Sequence, residues 1–157
     1  MTVKEINELC ESGHPAEAFS MVEKRLTTGE YKTERTWLML MRLGGDCLLD
    51  LKRNSEAVEW YSRVVEKSDD PYAFANRGCA KWLSGDPAGA LEDYLRALPL
   101  YSAADDIEVP LRQAAQLSLE VGDPLDALKY LNECERRYGT SQKTGEIRLR
   151  INNYCES

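Results

Sequence analysis

A recurring alanine constrains this chain more than any other feature. Four segments line up on it: Gly13-His14-Pro15-Ala16-Glu17-Ala18-Phe19, Lys52-Arg53-Asn54-Ser55-Glu56-Ala57-Val58, Gly85-Asp86-Pro87-Ala88-Gly89-Ala90-Leu91 and Gly122-Asp123-Pro124-Leu125-Asp126-Ala127-Leu128. From Ala18 to Ala57, Ala90 and Ala127 the steps are 39, 33 and 37 residues. A period of this size makes each unit a small supersecondary structure. Such a unit cannot bury its own apolar face and must stack on its neighbours to do so.

The local chemistry says that the units are helical. Asp70-Pro71, Asp86-Pro87 and Asp123-Pro124 each place an acid before a proline. The acid can accept an orphan backbone N–H, and proline's missing donor costs nothing at the first helical position. Gly13, Gly85 and Gly122 stand just past helix ends, where the backbone turns left-handed. The following residues are apolar at three- and four-residue steps, as in Ala90, Leu91, Tyr94, Leu95 and Leu98, or Leu128, Leu131 and Cys134. Small residues Gly45, Gly78 and Ala115 on the first helices are expected to face Ala57, Ala90 and Ala127 on the second.

These residues resemble the tetratricopeptide repeat. The third unit carries the likeness best, with Phe74, Gly78, Gly85-Asp86, Ala90, Tyr94 and Ala97 at the family's spacing. The second offers Gly45, Ala57, Tyr61 and Val64. The fourth offers Leu111, Ala115, Gly122, Ala127, Leu131 and Cys134, and the first Ile6, Gly13, Ala18 and Val22 after a shortened leading helix. The resemblance implies an all-α fold, a right-handed α-solenoid of about four helix hairpins in one domain spanning 1–157. The repeats fall near 1–33, 34–70, 71–104 and 105–139. A capping helix over 140–155, opened by Thr140 or Ser141, is expected to cover the end with Ile147, Ile151 and Tyr154. The stretches 27–33 and 101–108 lengthen the first and third steps and read as tolerated surface insertions. The acids Asp105, Asp106 and Glu108 read as a helix-start charge group.

Composition then limits the partner. The net charge is −7, and no run of Lys and Arg offers a phosphate-tracking patch, so nucleic acid and anionic membrane surfaces are poor partners. No apolar stretch approaches the ~20 residues of a membrane span, and the first residues lack the pattern of a signal peptide. A cytoplasmic location is expected. The five cysteines, Cys10, Cys47, Cys79, Cys134 and Cys155, include no C-x-x-C pair, and His14 is the only histidine. They read as reduced, small hydrophobes, with no metal and no cofactor expected.

In the family, first helices line a concave groove that takes an extended peptide or a helix of another protein. By that resemblance the groove here consists of Met39, Arg42, Asp46 and Leu49, then Tyr72, Ala75, Cys79, Trp82 and Leu83, then Arg112 and Gln116. Asp50, Val109, Leu119 and Glu120 adjoin this set, and Val3, Asn7, Cys10 and Glu11 extend it at the N-terminal end. Trp82 lies one position past the family's usual aromatic, which here is Lys81, and could face groove or core. Trp37 and Trp60 read as structural. Arg42 and Arg112 are candidates to take a partner's carboxylates, while the acidic rim suits a partner with basic residues. Self-association is left open.

Narrower functions fit the sequence less well. The Lys/Arg/Asn clamp by which some family members hold acidic chaperone tails is incomplete: Arg42 and Asn76 fit it, but Asp46, Val109 and Gln113 do not. Size, acidity and groove resemble the cytosolic chaperones of bacterial type III secretion, which makes a chaperone the alternative function. An enzyme would need a nucleophile with a base. Cys10 and His14 are the one pair near in sequence, nothing orients them, and catalysis is not expected.

Overall fold

The computed structural model describes all 157 residues. Nine α-helices follow one another: α1 (Val3–Glu11), α2 (Pro15–Thr28), α3 (Glu34–Asp50), α4 (Asn54–Val65), α5 (Pro71–Leu83), α6 (Pro87–Ala97), α7 (Glu108–Glu120), α8 (Pro124–Tyr138) and α9 (Gln142–Glu156). A single 3₁₀ turn, Leu98–Leu100, extends α6, and there are no strands. Each helix packs chiefly on its sequence neighbours, so the molecule is an α-solenoid of four hairpins closed by α9.

The helices begin where the capping chemistry places them. Asp70 accepts from the N–H groups of Tyr72 and Ala73, Asp86 from Gly89, and Asp123 from Asp126. Thr2, Thr33 and Ser141 cap α1, α3 and α9 in the same way. Inside the hairpins the chain turns through Gly13, Gly85 and Gly122, all near φ +90° (92°, 89° and 88°). In the second hairpin this place is taken by Lys52 at φ 61°, the one non-glycine residue in the left-handed region.

Close approach explains the small residues. Ala18, Ala57, Ala90 and Ala127 are fully buried. A Cβ on Gly78 would lie 3.1 Å from the Ala90 carbonyl oxygen and 3.1 Å from the Tyr94 ring. Gly45 departs from the expectation: its missing Cβ leaves room for the Tyr61 ring, one turn beyond Ala57. Gly44 likewise makes room for the ring of Trp60, which also meets Phe19 at 5.2 Å, so this tryptophan is structural. The core runs unbroken along the solenoid because each cluster is shared between adjacent hairpins. Ala73 and Ala80 of α5 join the first cluster, Phe74 and Ala75 the second, and α7 divides itself among the last three.

Asp105 and Tyr154 depart from expectation. The 101–108 stretch lies largely at the surface but is tied down by hydrogen bonds. Asp105 accepts from the Ser102 N–H at 2.8 Å and its hydroxyl at 2.9 Å, and Ile107 is buried with its N–H on the Tyr138 hydroxyl at 2.9 Å. Asp105 therefore folds the loop, while Asp106, through the Glu108 N–H at 3.0 Å, and Glu108, in the first turn of α7, stand at the helix start as expected. At the C-terminal end, Ile147 and Ile151 are buried against Ala115, Leu119, Ala127 and Leu131. Tyr154, expected on that face, is 47 % exposed because it lies beyond the last buried turn.

Candidate functional site

Along one face α1 touches α3, α3 touches α5, and α7 touches the capping helix α9, while the Trp82–Glu120 hydrogen bond bridges α5 to α7. Clefts open between them. One of about 260 Å³ lies between α1 and α3 and is bordered by Val3, Asn7, Met39, Arg42 and Asp46. A second, of about 350 Å³, follows between α3 and α5, with Leu38, Met39, Arg42, Asp70 and Tyr72 on its walls. Met39, Tyr72, Leu83 and Val109 leave large apolar surface in water along this face, where a side chain burying on a partner gains about 1.5–3 kcal/mol.

Several residues expected to meet a partner are already engaged. Arg42 binds the Asp70 carboxylate at 3.1 Å and lies 5.8 Å from the centre of the Tyr72 ring. Its guanidinium thus steadies the N-cap of α5 and is not a free carboxylate receptor. Asp46 is the acceptor for the buried Tyr61 hydroxyl and for Asn76 Nδ2 at 2.9 Å. Burial pushes its carboxyl above the ordinary carboxylate range, against the pull of Tyr61, Arg42 and Asn76. Asp46 and Asn76 are therefore engaged with each other, so Asn76, which fitted the incomplete clamp, is already bonded. Ala75 is buried in the second core cluster, and Leu49 packs against the first. The Cys79 thiol is half-buried beside Tyr94, and burial raises its pKa. These three belong to the wall of the groove and not to its open surface.

Trp82 is half-buried, and its indole N–H donates to Glu120 Oε2 at 3.0 Å. It joins α5 to α7 across the face, with its ring partly against the core and its polar edge outward. Tyr72 similarly joins α5 to the 101–108 loop, with its hydroxyl 2.6 Å from Asp105 and its ring edge-on to Tyr101 at 5.3 Å. The contact holds the Asp105 carboxyl below its usual range, first through Tyr72 and then through Ser102. Arg112 and Gln116 lie on α7 and line a cleft shared with α9. Lys143 and Arg150 of α9 reach the same cleft. Neither was among the expected groove residues, since α9 was expected only to cover the end of the solenoid, yet their seven-residue spacing puts them on one helix face.

The candidate catalytic pair does not assemble. Cys10 is buried and meets Cys47 Sγ at 3.3 Å and Asp50 Oδ2 at 3.5 Å, whereas the exposed His14 ring meets only Ser12. Burial raises the pKa of both thiols, which opposes a nucleophilic thiolate. No group of three or more His, Cys, Asp or Glu is arranged to hold a metal ion, and no helix is long and apolar enough to cross a membrane.

Comparison with known proteins gives the fold a context. No protein-family model matches the chain, and no curated protein matches it in sequence. Among solved structures, a tetratricopeptide repeat protein from Parabacteroides merdae superposes with a TM-score of 0.82 at 12 % identity, over 98 % of this chain and 59 % of its own. PilW, a type IV pilus biogenesis factor, gives 0.75 at 17 % identity, over 93 % of this chain and 67 % of its own. MamA gives 0.74 at 13 % identity, over 98 % and 86 %. The chain therefore has the tetratricopeptide-repeat fold, and it spans little more than half the length of the Parabacteroides protein.

Proposed function

We propose that the chain is a protein-interaction module that takes a peptide or helix of another protein along the face of its first helices. The observation that carries this reading is the row of exposed apolar side chains on that face, Met39, Tyr72, Leu83 and Val109, beside clefts in which Arg42, Asp46 and Asp70 are already paired. Such a surface gains by burying a partner's apolar anchors and has little to lose in desolvation. The exposed carboxylates of Glu11 and Asp50 near the α1–α3 end suit basic residues in the partner there. A reducing compartment such as the cytoplasm suits five free thiols.

Met39→Glu and Leu83→Glu are the test, because both side chains are exposed and neither makes a hydrogen bond that the fold uses. The full chain, immobilised and exposed to an extract of its own host, is expected to retain a specific protein that each variant loses by about tenfold or more. Retention by both variants at wild-type level overturns the groove reading. An exported client among the captured proteins would point to the secretion-chaperone alternative.

A further inference from the structure

The cleft between α7 and α9 differs from the rest of the face. It measures about 330 Å³ and is bordered by Arg112, Gln113 and Gln116 of α7 and by Lys143, Glu146 and Arg150 of α9. Three cations thus stand around one carboxylate in a chain whose net charge is −7. Elsewhere Arg42, Arg53, Arg77, Arg136, Arg137 and Arg148 each hold an ion pair, while Arg25, Arg35, Arg63 and Arg96 do not; what marks this cleft is that three unpaired cations from two helices converge on it. Arg112, Lys143 and Arg150 hold none within 4.0 Å.

Arg112 is the sharpest part of the observation. Its Nη1 is buried and has no hydrogen-bond partner. A buried guanidinium N–H without an acceptor is costly, and an anionic oxygen entering the cleft would remove that cost. The one acid on the cleft wall, Glu146, is engaged with Gln142 Nε2 at 3.0 Å on its own helix. On α9, Lys143, Glu146 and Arg150 follow at three- and four-residue steps, so one helix face carries all three.

We propose that this cleft binds the carboxylates of an acidic segment in the partner protein. The proposal rests on the first-helix face being the interaction surface and adds the chemistry of one end of it. Arg112 offers a planar fork that matches a carboxylate, while Lys143 and Arg150 supply positive charge at the rim. Gln113 and Gln116 each carry a donor and an acceptor, which suits the N–H and C=O groups of an extended peptide. Three cations in one short cleft are too few to track the extended phosphate row of a nucleic acid. The face is thus electrically polar, with carboxylates near α1 and α3 and free cations at α9.

The test uses the full chain and a fluorescein-labelled ten-residue peptide of alternating Glu and Ala. Its counterparts carry Gln, Lys or phosphoserine in place of Glu. Anisotropy at low salt is expected to show the Glu peptide binding about tenfold or more tighter than the Gln peptide, weakening as salt rises. The double variant Lys143→Glu/Arg150→Glu changes only exposed side chains and is expected to lose that binding by about tenfold or more with an unchanged circular dichroism midpoint. Arg112→Gln is expected to lose it as well, while Lys143→Arg retains it. Equal binding of the Gln peptide, or binding that survives the double variant, overturns the proposal. Tighter binding of the phosphoserine peptide overturns the carboxylate assignment in favour of a phosphopeptide. A host partner lost by Met39→Glu but kept by the double variant sinks the cleft and leaves the groove standing. Glu-peptide binding lost in the double variant and in Arg112→Gln but kept by Met39→Glu supports the cleft whatever becomes of the groove.

Discussion

At Asp93 a carboxylate with 1 % exposure takes two hydrogen bonds from Arg77, at 2.8 and 2.6 Å, and one ion pair from Lys81 at 2.9 Å. Arg77 also reaches the Ser62 hydroxyl at 3.2 Å, so α4, α5 and α6 meet in one polar knot. Asp93→Ala would leave two cations facing each other with little water. We expect it to cost about 3–5 kcal/mol in urea unfolding, far more than the same change at exposed Asp106. Asp46 should behave in the opposite sense. Burial holds its folded pKa above the ordinary 3.8, so its protonation favours the folded state. That contribution is fully present below about pH 3.8 and is lost as pH rises through the folded value. Asp46→Asn keeps the Oδ1 acceptor used by Tyr61 and Asn76 while removing the charge. Its midpoint is expected to exceed wild type at pH 7, with the gap closing as the pH falls toward 4. A variant less stable than wild type at pH 7 would show that the pull of Tyr61, Arg42 and Asn76 on the charged carboxylate outweighs burial. Neither carboxylate role could be read from the sequence. Asp93 and Glu92 are adjacent acids on one helix, and only packing decides which is buried.

Among the elements, the α5–α6 hairpin sets a glycine on one helix against an alanine on the other. Gly78 lies under the Ala90 carbonyl and the Tyr94 ring, and Ala90 itself is fully buried. Ala90→Leu must separate the two helices, and its expected cost is about 1–3 kcal/mol or more, read as a lowered denaturation midpoint. An unchanged midpoint would contradict the packing seen here. This hairpin was legible in advance because its signals are local: an N-cap acid, a proline, a turn glycine and a small residue at fixed spacing. The 101–108 loop was not, because its order comes from Tyr72, 33 residues from Asp105, and from Tyr138, 31 residues from Ile107. Loop composition alone does not reveal a distant hydroxyl.

For the whole molecule, stability is shared between neighbours, and α9 closes one end. Its Ile147 and Ile151 cover Leu119 and Leu131, and Arg148 bonds Asn132 at 3.0 Å and pairs with Glu135. Ending the chain after Gly139 exposes these contacts. The expected loss is about 3–6 kcal/mol from the two isoleucines alone, with amide exchange rising most in α7 and α8 and least in α1 and α2. Uniform loss of protection along the chain would contradict a nearest-neighbour solenoid. By itself, the sequence determined the helical repeat, the turn positions and the small residues at the crossings, since each depends on chemistry within a few residues of chain. Only the tertiary structure decided which members of the candidate groove are open. Met39, Tyr72 and Leu83 are exposed, whereas Arg42, Asp46 and Ala75 are taken up by partners or core. It also brought Lys143 and Arg150 beside Arg112. The reason is that a helical period assigns a face, while occupancy of that face is set by side chains from other helices, which no local pattern records.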